Sequence, residues 1–254
     1  MSYQTIQVRF QEPICFLQFN RPAANNTINE RLVEECHQVL ALCEPSITIV
    51  VLEGSPEVFS LGADFQGIHE KMVSGQANGQ SPEPLYDLWL KLATGPYITI
   101  SHVRGKANAG GIGFVAASDI VIANSTAQFS LSELLFGLFP ACVLPFLIRR
   151  VGFQKAHYMT LMTQPISVQQ AQIWGLVDAY DVNSENLLRK HLLRLKCLSN
   201  TGILQYKRYM SQLYELLLQS KSLAVAANQD LFSDPRNLER IFLYVEKGQL
   251  PWRG

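Results

Sequence analysis

From residue 6 to residue 19 the chain clusters Val, Phe, Ile and Leu until Asn20-Arg21-Pro22 breaks the run, which predicts a strand or hairpin followed by a loop. After Glu30 the period changes. Leu32, Val33, Cys36, Val39, Leu40 and Leu42 recur at helical spacing, with Thr27 or Asn29 as the cap and glutamates in the first turns, where the helix dipole favours negative charge. Three short runs rich in β-branched residues, 47–52, 97–103 and 119–123, have the composition of strands buried on both faces of a parallel sheet. Helical patterns at 84–94 and 110–117 separate them. Strand, helix, strand alternation argues for an α/β architecture of stacked ββα units.

Between Ile68 and Pro84 a polar tract, KMVSGQANGQSPEP, reads as a loop placed to act as a lid. Beyond Asn183 the pattern is almost entirely helical, at 187–198, 203–220, 222–230 and 235–246. The expected organisation is a core over 1–195 and a helical C-terminal region over 196–254, with no fixed-length repeat.

Hydrophobic residues are 48% of the 254 and charged residues 17%, so the chain has a core to bury and no long charged tail. Its 21 Lys and Arg balance 21 Asp and Glu, which argues against nucleic acid as a partner. Cys15, Cys36, Cys43, Cys142 and Cys197 lack the spacing of a zinc site and are expected to be free thiols in a reducing cytoplasm, with no metal. The N-terminal residues do not read as an export signal. The apolar run 136–148 contains Pro140 and Pro145 and falls short of the roughly 20 residues of a membrane span.

Two stretches of small residues sit where strands hand over to helices. Phe59-Ser-Leu-Gly-Ala-Asp-Phe65 can present the Ala63 N–H, and Val103-Arg-Gly-Lys-Ala-Asn-Ala-Gly-Gly-Ile-Gly113 can present that of Gly110. Two amides converging on one oxygen make a hole for an enolate. Each turn taken alone is equally an ordinary tight turn.

In this order FSLGADF, VRGKANAGGIGF, SDIVIA, AQFSLSELLFGLFP and LMTQPISVQQAQIWGLVD resemble the successive signatures of the crotonase (enoyl-CoA hydratase/isomerase) superfamily. The resemblance implies a spiral of ββα units with a helical C-terminal trimerisation region, forming a homotrimer or hexamer. It implies acyl-thioester chemistry through an enolate, with the Ala63 and Gly110 amides as the oxyanion hole. The family's hydratases carry one glutamate three residues after the second oxyanion glycine, where this chain has Gly113. Their other glutamate falls on Glu133, the implied acid/base residue; a helix-start charge capped by Ser130 or Ser132 is the structural alternative. A lone carboxyl in an apolar pocket holds its proton more tightly and can serve a one-base syn elimination.

The stretches YQTIQVRF, RPAANNTINE, PLYDLWLKLATGPYITISHVRGKANAGG and FSLSELLFGLFPACVLPFLIRR are similar to the dehydratases of polyketide β-branching cassettes. That similarity implies dehydration of 3-hydroxy-3-methylglutaryl to 3-methylglutaconyl on an acyl carrier protein. The implied partner is that carrier, and no cofactor is needed beyond its phosphopantetheine arm. Gln66 stands where members using free coenzyme A often have a lysine. The candidate substrate-binding residues are Asp64, Tyr86, His102, Lys106, Asn108 and Cys142, with Arg104 also near in sequence. Structural roles are open for several: Tyr86 and Trp89 as core, His102 as a satisfied strand-end histidine, Asp64 as a turn residue and Cys142 as packing. Arg149, Arg150 and Lys155 form either a docking patch for an acidic carrier or, for the arginines, a helix C-terminal cap. The competing functions are a crotonase-type decarboxylase, an isomerase or hydratase, and a non-catalytic scaffold.

Overall fold

The structure is a computed structural model that describes residues 3–44, 46–74 and 81–248. The chain opens with an antiparallel hairpin of β1 (Ile6–Gln11) and β2 (Ile14–Phe19), in which Ile6 faces Phe19. Helix α1 (Glu30–Cys43) follows, and its cap is Asn29, whose side chain accepts the Leu32 amide at 2.9 Å. From there the chain spirals. β3 (Ile49–Glu53) and β4 (Val58–Ser60) lead to α2 (Phe65–Val73) and α3 (Glu83–Thr94). β5 (Ile98–Val103) and β6 (Lys106–Asn108) lead to α4 (Gly110–Ala117). β7 (Ile120–Asn124) and β8 (Gln128–Ser130) lead only to a single 3-10 turn, Glu133–Phe136.

Helices α5 (Leu144–Val151) and α6 (Phe153–Met162) continue into β9 (Ile166–Ser167), α7 (Val168–Ile173), β10 (Ala179–Asp181) and α8 (Ser184–Leu195). The long strands pair in the order β1-β2-β3-β5-β7-β10, parallel from β2 onward, and the short ones form a second sheet, β4-β6-β8-β9. Alternation in β3 explains why its run is apolar throughout: Val50 and Leu52 join the main core with Trp89 and Phe114, whereas Ile49 and Val51 meet Leu188 and Leu192 of α8. This stacking is the ββα architecture the sequence pattern predicts.

Four helices complete the described residues: α9 (Asn200–Leu213), α10 (Leu216–Gln219), α11 (Lys221–Ser233) and α12 (Pro235–Lys247). Lys207 of α9 is buried and anchors this region. Its Nζ donates to Leu92 O at 3.3 Å, Tyr97 O at 2.9 Å and Asp119 Oδ2 at 2.6 Å. Ile241 of α12 packs on Phe136 and Leu138, with Phe65 of α2 against the same cluster. The C-terminal helices therefore lie over α2 and the 3-10 turn. Among the described residues no helix is long and apolar enough to cross a membrane.

Three expectations change. The tract at 68–84 is not loop throughout: α2 runs to Val73, nucleated by Asp64, whose carboxylate accepts the Gly67 amide at 3.1 Å, and Glu83 already begins α3. Its centre, 75–80, lies outside the described residues. The helix expected over 203–220 breaks at Tyr214, whose φ of −137° and ψ of 82° leave the helical region. Arg149 and Arg150 are not a docking patch, because their guanidinium groups are spent inside the fold. Arg149 donates to Ala116 O and Ala117 O at the end of α4, and Arg150 donates to the Ser118, Asp119 and Leu176 carbonyls and pairs with Asp178. Lys155 remains, with its ammonium 5.4 Å over the Trp174 ring.

Candidate active site

The spiral delivers the two glycine-bearing turns side by side. Ile28 N donates to Gly62 O at 2.7 Å and Ile28 O accepts the Asp64 amide at 3.2 Å. In such a bridge the neighbours of Ala63 are held, so its own N–H points to the other side. Gly110 is the first residue of α4, where the N–H has no intrahelical acceptor. Among the described residues neither amide has a protein acceptor. Gly62 brings the turns together: its φ is +87°, and a Cβ there would lie 2.6 Å from Ala109 Cβ and 2.9 Å from Gly110 N. Ala109 holds a φ of 51° and ψ of −123°, a strained conformation that aims the next amide outward.

Both turns open into a cleft of about 2270 Å³ that also receives Asp64, Trp89, Asn108, Glu133 and Cys142. Glu133 begins the 3-10 turn and keeps some surface toward the cleft, while its Oε2 is sealed without a hydrogen-bond partner. Burial pushes its carboxyl up to about 7, against smaller downward pulls from the Glu133 and Ser132 backbone amides. A carboxyl in that state both takes and returns a proton near neutrality. Ser132 caps nothing with its hydroxyl. Its Oγ instead accepts Asn108 Nδ2 at 2.9 Å, and Ser130 Oγ donates to Asn108 Oδ1 at 2.8 Å, so a polar ladder holds the wall beside Glu133.

Position 113 cannot hold a side chain without rearrangement. A Cβ on Gly113 would lie 2.3 Å from Trp89 Cζ2, so the indole occupies that part of the wall. Trp89 is buried among Phe114 and Phe146, as the helical spacing of its apolar neighbours suggests, yet it also lines the cleft.

The sequence-derived binding residues divide. Asp64 lines the cleft, but its carboxylate is engaged by the Gly67 amide and, at 2.7 Å, by Arg21. Asn108 lines it within the polar ladder. Cys142 lines it with Sγ 3.5 Å from Ala224 O, and burial pushes its thiol up to about 12, which removes it as a nucleophile. Tyr86, His102 and Lys106 are not among the lining residues. Tyr86 is fully buried, donating its hydroxyl to Leu217 O at 2.6 Å, which ties α3 to α10. His102 is 1% exposed and held between Glu53 at 3.0 Å and Ser184 at 2.9 Å, beside a separate cavity of about 540 Å³ on the α8 side of the sheet, together with Arg104. Lys106 is exposed at the start of β6. Gln66 is exposed, and its amide donates to Glu70 at 2.9 Å.

For Trp89 the sequence leaves core packing and substrate contact both open, and the structure gives it a buried ring on the cleft wall; Asn228, Gln229 and Phe232 of α11 are lining residues the pattern does not signal. The α11 residues reach it only because that helix folds back over the core. No local pattern signals this.

The enoyl-CoA hydratase/isomerase family model matches residues 9–254. The chain is 64% identical over 253 residues to the bacillaene synthase dehydratase PksH of Bacillus subtilis (strain 168), covering 99% of this chain and 98% of that protein. It is 31% identical over 230 residues to the 2,3-dehydroadipyl-CoA hydratase of Escherichia coli (strain K12), covering 88% of this chain and 87% of the other. A crystal structure of a polyketide biosynthesis enoyl-CoA hydratase from Bacillus subtilis superposes with a TM-score of 0.97 at 64% identity, over 98% of this chain and 100% of that one. An enoyl-CoA hydratase/isomerase structure from Xanthobacter autotrophicus Py2 shares the fold at 20% identity, with a TM-score of 0.84 over 97% and 95% of the chains. With the ββα spiral, the two free amides and the family match all in agreement, the chain belongs to the enoyl-CoA hydratase/isomerase family and has the crotonase fold.

Proposed function

We propose that this chain is a hydro-lyase of polyketide biosynthesis that dehydrates a 3-hydroxy-3-methylglutaryl thioester, carried on an acyl carrier protein, to the 3-methylglutaconyl thioester. The observation that carries the reading is Glu133, a largely buried carboxyl with a raised pKa in the cleft that also receives the Ala63 and Gly110 amides. The similarity to a bacillaene synthase dehydratase supports the polyketide setting. In the proposed reaction the Glu133 carboxylate takes a C2 proton and the electrons move to the thioester oxygen, held by the two amides. The enolate then collapses, the C3–O bond breaks, and Glu133 returns the proton to the departing hydroxyl, which leaves as water.

The substrate brings its own phosphopantetheine arm, and the chemistry calls on no further cofactor. Gln66, engaged with Glu70, offers no cation to a coenzyme A phosphate, which favours a carrier-bound substrate. The working assembly is a trimer or a pair of trimers in the cytoplasm. The test is mass spectrometry of carrier-bound 3-hydroxy-3-methylglutaryl after incubation with the protein. Loss of water supports the reading, while loss of carbon dioxide or an unchanged acyl group refutes it in favour of a decarboxylase or a scaffold.

A further inference from the structure

Four buried side-chain atoms among the described residues have no hydrogen-bond partner, and two of them, Trp89 Nε1 and Glu133 Oε2, belong to residues lining the same cleft. Indole nitrogen is a donor only, and a buried donor is normally paired. Trp89 is 1% exposed, and Phe114 and Phe146 stand 5.8 Å from it edge-on, so its neighbours supply packing and no acceptor. Its position is informative. Gly113 lies one helical turn after Gly110 and so faces the same side of α4. A Cβ on Gly113 would lie 2.5 Å from Trp89 Cε2, the ring atom bonded to Nε1. The six-membered ring of the indole therefore packs on α4 one turn beyond the Gly110 amide, and the nitrogen, one bond past Cε2, is left unpaired on a residue that lines the cleft.

We infer that the Trp89 indole N–H is a substrate-contacting donor that holds the β-hydroxyl oxygen of a 3-hydroxyacyl thioester while Glu133 reacts. This rests on the dehydratase reading above and adds a residue that selects for a β-oxygen. One lone pair of that oxygen accepts from the indole. Another receives the proton from Glu133 as the C3–O bond breaks and its electron pair stays on oxygen. The indole proton is not transferred. Its hydrogen bond strengthens as negative charge develops on the leaving oxygen, so it stabilises the transition state more than the bound substrate.

The test replaces Trp89 with 3-benzothienylalanine, which keeps the bicyclic shape and lacks the N–H; Trp89→Phe is the simpler companion. Two reactions are followed: dehydration of carrier-bound 3-hydroxy-3-methylglutaryl, and deuterium exchange at C2 of carrier-bound 3-methylglutaryl, which has no hydroxyl. For the benzothienyl variant the expected result is a loss on the order of 30-fold in kcat/KM for dehydration, with exchange lowered by less than about threefold. Parallel losses in both reactions make Trp89 a packing residue and overturn the inference, as does full dehydration activity. Glu133→Gln separates the two ideas. If it abolishes both reactions while the benzothienyl variant shows no selective loss, the inference falls and the acid/base reading stands. If exchange survives Glu133→Gln, the acid/base reading falls, whatever the indole variants show.

Discussion

Replacing Glu133 by glutamine should cost activity and add stability, and pH sets how much of each. Below pH 4.5, the ordinary value of the carboxyl, folded and unfolded chains both carry the proton, and burial adds no charge penalty. As pH rises from 4.5 to about 7 the unfolded chain releases a proton that the folded chain keeps, so stability falls. At about 1.4 kcal/mol per pH unit the full penalty is about 3 kcal/mol above pH 7. Glutamine cannot ionise and escapes it. Thermal unfolding of Glu133→Gln should show a Tm about 5 °C or more above the wild type at pH 9 and little difference at pH 5. Dehydration should run the other way. Because the base must be ionised, wild-type kcat/KM should fall about tenfold per unit below pH 7, and Glu133→Gln should lose about 100-fold or more at pH 8. A wild-type inflection near pH 4.5, or a variant within tenfold of wild type, would refute both the sealed environment of this carboxyl and its role.

Gly113→Glu should not create a second working carboxylate: its Cβ meets the Trp89 indole at 2.3 Å, and overpacking of this kind costs about 1–3 kcal/mol, read by denaturant midpoint. Lys207→Met should lower stability by about 3 kcal/mol in the same assay, because Asp119 and two carbonyls lose their cation; an unchanged midpoint would make the pair ornamental. Arg150→Glu should lower Tm without a selective rise in KM for a carrier-bound substrate, since the guanidinium serves internal carbonyls; a KM effect at unchanged Tm would restore the docking patch.

The spiral was legible because its strands carry an unambiguous signal: Ile49 to Leu52 must be buried on both faces, and only a covered parallel sheet does that. Ala63, Gly110 and Glu133 were singled out through the resemblance, and the structure brings them to one cleft; the free direction of the Ala63 amide follows from the Ile28 bridge and that of Gly110 from its place at the start of α4. For His102 and Tyr86 the structural alternative holds and the substrate role does not, for one reason. Polar atoms on apolar elements advertise a partner but not its identity, and here the partners are Glu53, Ser184 and Leu217 rather than a ligand. Trp89 is the converse: its spacing marks it as core, correctly, while the unpaired nitrogen appears only once every neighbour is placed. The Gly, Ser, Gln and Asn after Val73 extended the loop reading backwards over α2, whose start is set by the Asp64 cap.

The helices that close over α2 give the enzyme an order of assembly. The groups named for the chemistry, Ala63, Gly110 and Glu133, have all been synthesised by residue 133, whereas Asn228, Gln229, Phe232 and Tyr244, which line the same cleft, are added much later. A nascent chain can thus have its reactive groups in register while one side of the cleft stands open to water. Premature release would leave a core with that side exposed and the hydrophobic Phe65 and Phe136 uncovered, a surface for chaperones and proteases rather than for substrate. The C-terminal helices act as a completeness check: the cleft is enclosed only once residues 228–244 have been made and have folded over α2.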